Sequence, residues 1–339
     1  MSRIAVSNAT RGTELLWRSV KIRKSLDDIC HTLELEIPAG ERPKVHRHDT
    51  LQVRCENPLV NDSGGKRLVT TVMVDEIGIS TDVSRRTVTV IGRSPARDVI
   101  DSAWSGMLID MTLYEIAKNI CSEFDIACNY FPNNRGDPTE NIFVFSWESE
   151  SPWTKLVTEA DSQGFMLTSN EAGGLYIWKV AESARREGFD LTEGKNIKTL
   201  EWTENGAEQY AKYVVKGYFG EATVTDGTCR NKRILTINHT NPEVEQEKLR
   251  RRAETEMRRR RENRATVTVP GWGLTDDQIK NLGASTGEKE IFWVPNSLIP
   301  VSMPSEGLRA NLLIAEVEHE AAADTMQTTI TLVNREAYL

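Results

Sequence analysis

Long apolar runs are missing from this sequence of 339 residues. No stretch approaches the about 18 consecutive apolar residues that a membrane-spanning helix needs, so none is expected. The opening MSRIAVSNATRG carries no apolar segment with a small-residue cleavage site, which argues against secretion through a signal peptide. Basic excess is missing too. The formal charge is -8, whereas a sequence-nonspecific nucleic-acid binder needs a basic footprint along the phosphates. Cysteine is limited to Cys30, Cys55, Cys121, Cys128 and Cys229, with no CxxC pair. Cys121 falls in a helical pattern and Cys55 in a strand-like run, so reduced, mostly buried thiols are expected in a cytosolically made protein, not a disulfide framework.

What is present is ordinary globular material, 39% hydrophobic and 27% charged, in a chain long enough for two or three domains. The first ~95 residues read as β. In HTLELEI, Leu33, Leu35 and Ile37 alternate with polar partners, and Leu51, Val53 and Cys55 do the same in DTLQVRCE, the period of a half-buried strand. NDSGG at Asn61 to Gly65 breaks the pattern, and further strands follow at Leu68 to Ile77 and Arg86 to Arg93.

The period then changes. Leu113, Ile116, Ala117, Ile120, Cys121 and Phe124 share one helical stripe behind a Thr112/Glu115 capping box. Ser151-Pro152 is a second helix start. Trp153, Leu156, Val157 and Ala160 share its inner face until Gly164, and a hairpin pattern runs on to Trp178. From Leu200 the chain returns to β, at Tyr213 to Phe219, Arg233 to Asn238, Ala265 to Val269 and Asn311 to Arg335.

VMVDEIGISTDVSRRTVTVIGR in the first β region and LIAEVEHEAAADTMQTTITLVNR in the second share a layout. Each has an apolar-acidic strand, a turn containing Asp, a Thr-rich alternating strand, and a closing Gly-Arg or Asn-Arg. Two similar β-barrels flanking an inserted α/β part is the leading reading; two unrelated hairpins of like composition is the alternative. The expected division is an N-terminal barrel at 1–95, a mixed α/β region at 96–199, and a second barrel at 200–339 interrupted by an arginine-rich helix at about 242–264.

No catalytic constellation stands out. His46 and His48 lie two apart, which on a strand points both side chains the same way. Pro43, Lys44 and Arg47 surround them, and a polar loop or interface suits that setting better than a metal. Cys30-His31 completes a site only through an unspecified tertiary contact. No G-x-S-x-G elbow occurs. Asn61 to Lys66 lacks the spacing and the following helix of a phosphate loop. Asp75 and Glu76 are adjacent and on a strand face opposite sides, poor geometry for paired acid/base work. No cofactor, metal or catalytic residue is therefore expected.

The arginine-rich helix is the one charge feature of note. Val244, Leu249, Ala253 and Met257 form a thin apolar stripe. Acidic residues come early and basic ones late, which suits the helix dipole. Glu247 with Arg251, Glu254 with Arg258 and Glu256 with Arg260 are favourable pairs one turn apart. A solvated helix on a narrow seam and a protein-docking surface through Arg258, Arg259, Arg260 and Arg261 are the two main readings. Direct phosphate contact ranks third, because the interleaved acids oppose it.

Several motifs, in order along most of the chain, resemble the baseplate hub proteins of Mu-like contractile phages, the 43 kDa tail protein family. They are SLDDICHTLELEI, VTVIGRSPARDVIDSA, TLYEIAKNI, SPWTKLVTEADSQGFMLTSNEAGGLYIW, IFWVPN, NLLIAEV and the terminal LVNREAY. The arginine-rich helix lies outside this match. The resemblance implies a structural subunit and not an enzyme: a homotrimeric ring with a central channel, in the virion tail baseplate and made in the host cytoplasm. Implied partners are a trimeric central spike protein, a tail tube or tube-initiator protein and other baseplate proteins, with DNA only passing through the channel. The alternatives are the base of a secretion-type spike complex and, ranked lower, a cell-wall-degrading tail enzyme. The chain ends just after its last strand pattern, so no fused spike is expected.

Overall fold

The computed structural model describes residues 4–56, 65–81, 86–130, 141–181, 189–218, 220–239, 246–261, 263–274 and 291–338. The first part of the chain forms β1 (Ile4–Asn8), β2 (Thr13–Leu15), β3 (Ser19–Ser25), β4 (Thr32–Ile37), β5 (Thr50–Glu56), β6 (Lys66–Thr81) and β7 (Arg86–Arg93). Period-two alternation drives these strands. In β4, Leu33, Leu35 and Ile37 are buried while Glu34 stays exposed, and full burial of such a side chain is worth roughly 1.5–3 kcal/mol. Their inner faces meet in one core with Val53, Val72, Val90 and, from far along the chain, Trp272 and Phe292. The Asn61 to Gly65 break lies almost wholly outside the described residues.

The middle contains α1 (Arg97–Asp101), β8 (Trp104–Thr112), α2 (Leu113–Ser122), β9 (Cys128–Tyr130), β10 (Asn141–Glu150), α3 (Trp153–Ser162), β11 (Met166–Ser169) and β12 (Leu175–Trp178). Helix α2 starts at the expected capping box. Thr112 accepts from the Glu115 backbone N–H, and the Glu115 carboxylate accepts from that of Thr112, which satisfies two otherwise orphaned donors. Ser151 Oγ accepts from the Trp153 N–H at 3.3 Å, and Gly164, at a φ of 72°, takes the left-handed backbone that ends α3. Strands β8 and β10 pair with each other, β11-β12-β9 form a small sheet, and the two helices cover a separate core around Leu113, Ile116 and Leu156.

The remainder supplies β13 (Leu191–Thr192), β14 (Thr199–Glu204), β15 (Lys212–Lys216), β16 (Glu221–Thr225), β17 (Ile234–Asn238), α4 (Gln246–Arg260), β18 (Asn263–Pro270), β19 (Leu298–Met303), β20 (Leu308–Ala322) and β21 (Met326–Val333). Strands β16-β15-β17 form their own sheet, against which α4 lays Leu249 and Ala253.

The two outer β regions repeat one strand order. Side by side, the first reads β3-β4-β7-β6-β5-β1 and the second β14-β18-β21-β20-β19-β13. Ranked by chain position, both read second, third, sixth, fifth, fourth, first. The long strands even bulge at matching places, between Val74 and Glu76 in β6 and between Ile314 and Glu316 in β20. One difference is direction: β1 runs antiparallel to β5, and β13 parallel to β19. Strand β2 and the α4 unit are additions to the shared order.

The expectation of two β-barrel domains is not met, because no sheet closes into a barrel. Beyond its bulge β20 leaves β19 and hydrogen-bonds the outer edge of β3. Both regions therefore run together in one open sheet of 13 strands. Alternation in a sequence reports which face of a strand is buried; it does not report which edges meet. The mainly β architecture with α/β insertions stands.

Candidate assembly surfaces

Helix α4 carries the arginines that the sequence marks as an interface. Its acids and bases pair along the helix, Arg251 to Glu247 at 3.6 Å, Arg258 to Glu254 at 3.3 Å and Arg260 to Glu256 at 3.4 Å. Sequence reading missed its tertiary partners. Asp161 at the end of α3 accepts from Arg252 at 2.5 Å and from Arg259 at 3.1 Å. Arg261 donates through Nε to the buried carboxylate of Asp226 at 2.6 Å, just past β16. That guanidinium holds the Asp226 carboxyl far below the usual carboxylate range. Arg259 also stands 5.8 Å from the Tyr338 ring centre, and the Tyr338 hydroxyl donates to Asp27 at 2.9 Å. Four of the arginines thus act within the chain, Arg252, Arg259 and Arg261 across elements and Arg260 through Glu256 and, at 3.7 Å, Glu208.

The junction of β3 with β20 is the second surface of interest. Its pairs run antiparallel, His319 opposite Ile22 and Ala321 opposite Val20, and all four are buried. On the outer face a basic strand meets an acidic one: Arg23 to Glu316 at 2.7 Å and Lys21 to Glu318 at 2.7 Å and to Glu320 at 3.4 Å. His319 bonds Thr328 Oγ1 at 2.9 Å, and His31 bonds Thr70 Oγ1 at 3.1 Å. Burial, aided by the nearby Lys24 charge, lowers the pKa of His31 well below normal and that of His319 to about 3. Both imidazoles are neutral structural groups at ordinary pH.

The other residues singled out by sequence do not converge. His46 and His48 are exposed in a turn, not on a strand, and the His46 ring lies 3.9 Å from Asp49. Asp49 already accepts from Asn8 and Arg11, each at 2.7 Å. Cys30 is buried with its thiol 3.8 Å from the Ser94 carbonyl, and burial pushes its pKa up. Asp75 sits at the β6 bulge clamped by Arg93 at 2.8 Å and by Arg97. Among the described residues no group of three or more His, Cys, Asp or Glu side chains is placed to hold a metal, and none of the helices is long and apolar enough to cross a membrane. The cysteines are free thiols, with Cys229 the one that is not buried.

A third feature was not legible in advance. The β8–β10 ribbon turns Met107, Ile109, Phe143 and Val144 outward, with Val144 opposite Ile109. Its other face packs Phe145 and Trp147 into the middle core.

Comparison with known proteins places this architecture among phage tail proteins. No family model matches the chain. The 43 kDa tail protein of prophage MuSo2 from Shewanella oneidensis superposes with a TM-score of 0.79 at 24% identity, covering 100% of both chains. The tail protein from Neisseria meningitidis MC58 gives 0.76 at 17% identity, covering 98% of this chain and 96% of that one. These likenesses establish the fold. In sequence, the baseplate hub protein gp44 of Escherichia phage Mu is 24% identical over 351 aligned positions, 95% of this chain and 86% of the relative. The chain is thus similar in sequence to the Mu baseplate hub protein over 95% of its length, and in fold to the 43 kDa tail protein of prophage MuSo2.

Proposed function

We propose that this chain is the baseplate hub subunit of a contractile phage or prophage tail, a homotrimeric ring that joins the tail tube to the central spike. The observation that carries the reading is the similarity to the Mu hub protein, 24% identity over 95% of this chain. The repeated strand order supports it, since two like units in each of three chains present six similar units to a tube and three identical faces to a spike. The homologues are tail and baseplate proteins, and the role is structural, not enzymatic. The three stretches 1–95, 96–199 and 200–339 act as the subunit's working units in this reading. DNA passes through the channel without being retained, which a chain of net charge -8 favours. In this reading Arg258, Arg259, Arg260 and Arg261 border the surface that docks a tube, spike or neighbouring baseplate protein.

Sedimentation equilibrium of the purified chain tests the ring, with a species of three chain masses expected. A stable monomer at all practical concentrations overturns it. Tails assembled without this chain are expected to lack both spike and tube attachment, and normal tails in its absence overturn the hub role.

A further inference from the structure

Alternation in β3 buries Val20, Ile22 and Lys24 and leaves Lys21 and Arg23 between them only partly covered. A lysine therefore occupies a place that the strand period gives to an apolar side chain. Lys24 is 3% exposed, and burying an ammonium is costly unless a counter-charge and hydrogen bonds meet it. Here they meet it incompletely. Glu171 Oε1 lies 3.7 Å from Lys24 Nζ, an ion pair too long to be a hydrogen bond. Among the described residues the ammonium donates no hydrogen bond. His31 and His319, the buried imidazoles that feel its charge, are neutral and supply no counter-charge.

Lys24 lines a cavity of about 290 Å³ bordered by β3, the β11–β12 hairpin and the segment before β19. That volume is close to the lower end for small-molecule sites, about 300 Å³. Tyr176, Trp178, Val294 and Pro295 give the cavity an aromatic and aliphatic wall. The two rings meet edge-on, with centres 6.3 Å apart. Asn170, on the same lining, accepts from the Gly174 N–H through Oδ1 at 2.8 Å, which leaves its amide N–H groups as donors. A buried cation, an amide and an apolar wall thus share one small space.

We propose that this cavity binds a small organic monocarboxylate, its carboxylate on the Lys24 ammonium and its apolar body against Tyr176 and Trp178. Charge selects a monoanion, because Glu171 stands beside Lys24 and repels a doubly charged phosphate more strongly than a carboxylate. The aromatic wall selects an apolar body, which an inorganic anion lacks. Glu171 has a side chain 39% exposed and competes for the same ammonium, so an incoming carboxylate displaces it toward solvent. The cavity lies within one chain, and binding there does not depend on the hub role.

Calorimetric titration of the full chain at neutral pH tests the site, with benzoate, butyrate, benzamide and inorganic phosphate as probes. Benzoate is expected to bind saturably, and neutral benzamide at least about tenfold more weakly, the loss of one charge-assisted hydrogen bond. Phosphate is expected not to compete with benzoate. Lys24→Met removes the charge from a side chain of similar length. It is expected to weaken benzoate at least about tenfold with an unchanged circular dichroism spectrum. Glu171→Gln removes the competing carboxylate at a partly exposed position and is expected to tighten benzoate about threefold. A lysine with a purely structural role gives no such tightening, and this variant decides the matter if Lys24→Met does not fold. Absence of saturable binding by benzoate and butyrate overturns the site, as does benzoate binding that a folded Lys24→Met or Glu171→Gln leaves unchanged. Phosphate that binds as tightly as benzoate overturns the carboxylate assignment.

Discussion

Arg261, at the end of α4, reaches back to Asp226 at the end of β16 and closes on its fully buried carboxylate, Nε to Oδ2 at 2.6 Å. The same carboxylate accepts from the backbone N–H of Thr228 at 2.8 Å and from that of Cys229 at 3.2 Å. One acid thus holds a turn and a helix end together. Arg261→Met is expected to cost about 2 kcal/mol, the worth of a hydrogen bond to a charged group, tempered because the guanidinium is partly exposed. Urea unfolding of the two proteins measures it. The pH dependence has a definite sign: Asp226 has a depressed folded pKa. Its stabilisation is present above the unfolded value of about 3.9 and is lost as pH falls toward the folded value. Loss of Arg261 should flatten that acid limb.

Neighbouring arginines on α4 should separate in their effects. Arg259 shares Asp161 with Arg252, so Arg259→Glu sets a carboxylate against a buried carboxylate. It is expected to destabilise the fold by about 2–3 kcal/mol, read as a lowered thermal midpoint. Arg258→Glu breaks an exchange with Glu254 on its own helix and should cost less than about 1 kcal/mol. Equal thermal midpoints for the two variants would show that the α3–α4 clasp contributes nothing.

His319 should make the protein acid-sensitive before its carboxylates do. It is held neutral, with a folded pKa of about 3, against about 6.5 when unfolded. The unfolded chain binds the proton first, so stability is full above about pH 6.5. Below that it falls by about 1.4 kcal/mol per pH unit for this residue, until the folded value is reached. His319→Gln is expected to reduce the slope of unfolding free energy against pH between about 6 and 4. An unchanged slope would mean that the imidazole is solvated in the folded protein.

Gly106 gives a test of the outward-facing ribbon. A Cβ placed there meets the Trp147 indole ring, and Trp147 in turn packs edge-on to Trp104 with ring centres 5.6 Å apart. Gly106→Ala is expected to cost about 1–3 kcal/mol by forcing the indole off its seat. Altered tryptophan fluorescence with an intact secondary-structure spectrum would report it. Wild-type fluorescence and stability would show that the ribbon yields freely.

Much of the fold was legible because its causes are local. Alternation placed β4, β5, β6 and β7, the Thr112/Glu115 box placed the start of α2, and Gly164 marked the end of α3. The likeness of VTVIGR to ITLVNR pointed to a repeat, and the repeated strand order carries it through both outer regions. Sequence also showed that α4 pairs its own acids and bases. It did not show Asp161 or Asp226, which lie 98 and 35 residues from Arg259 and Arg261. Nothing about a lone aspartate in a sequence announces a distant guanidinium.

The amino-acid sequence by itself determined which faces of the strands are buried, where the helices begin and that two β regions are alike. Each of these follows from side-chain period and capping chemistry within a few residues. Only the tertiary structure decided how the edges are used. Strand β20 bends at Ala315, leaves β19 and takes the edge of β3, so the two regions form one open sheet and not two barrels. Edge pairing is made by backbone groups that every residue carries, so side-chain pattern is silent about it. The choice is made by the competition among distant strands for the same hydrogen bonds.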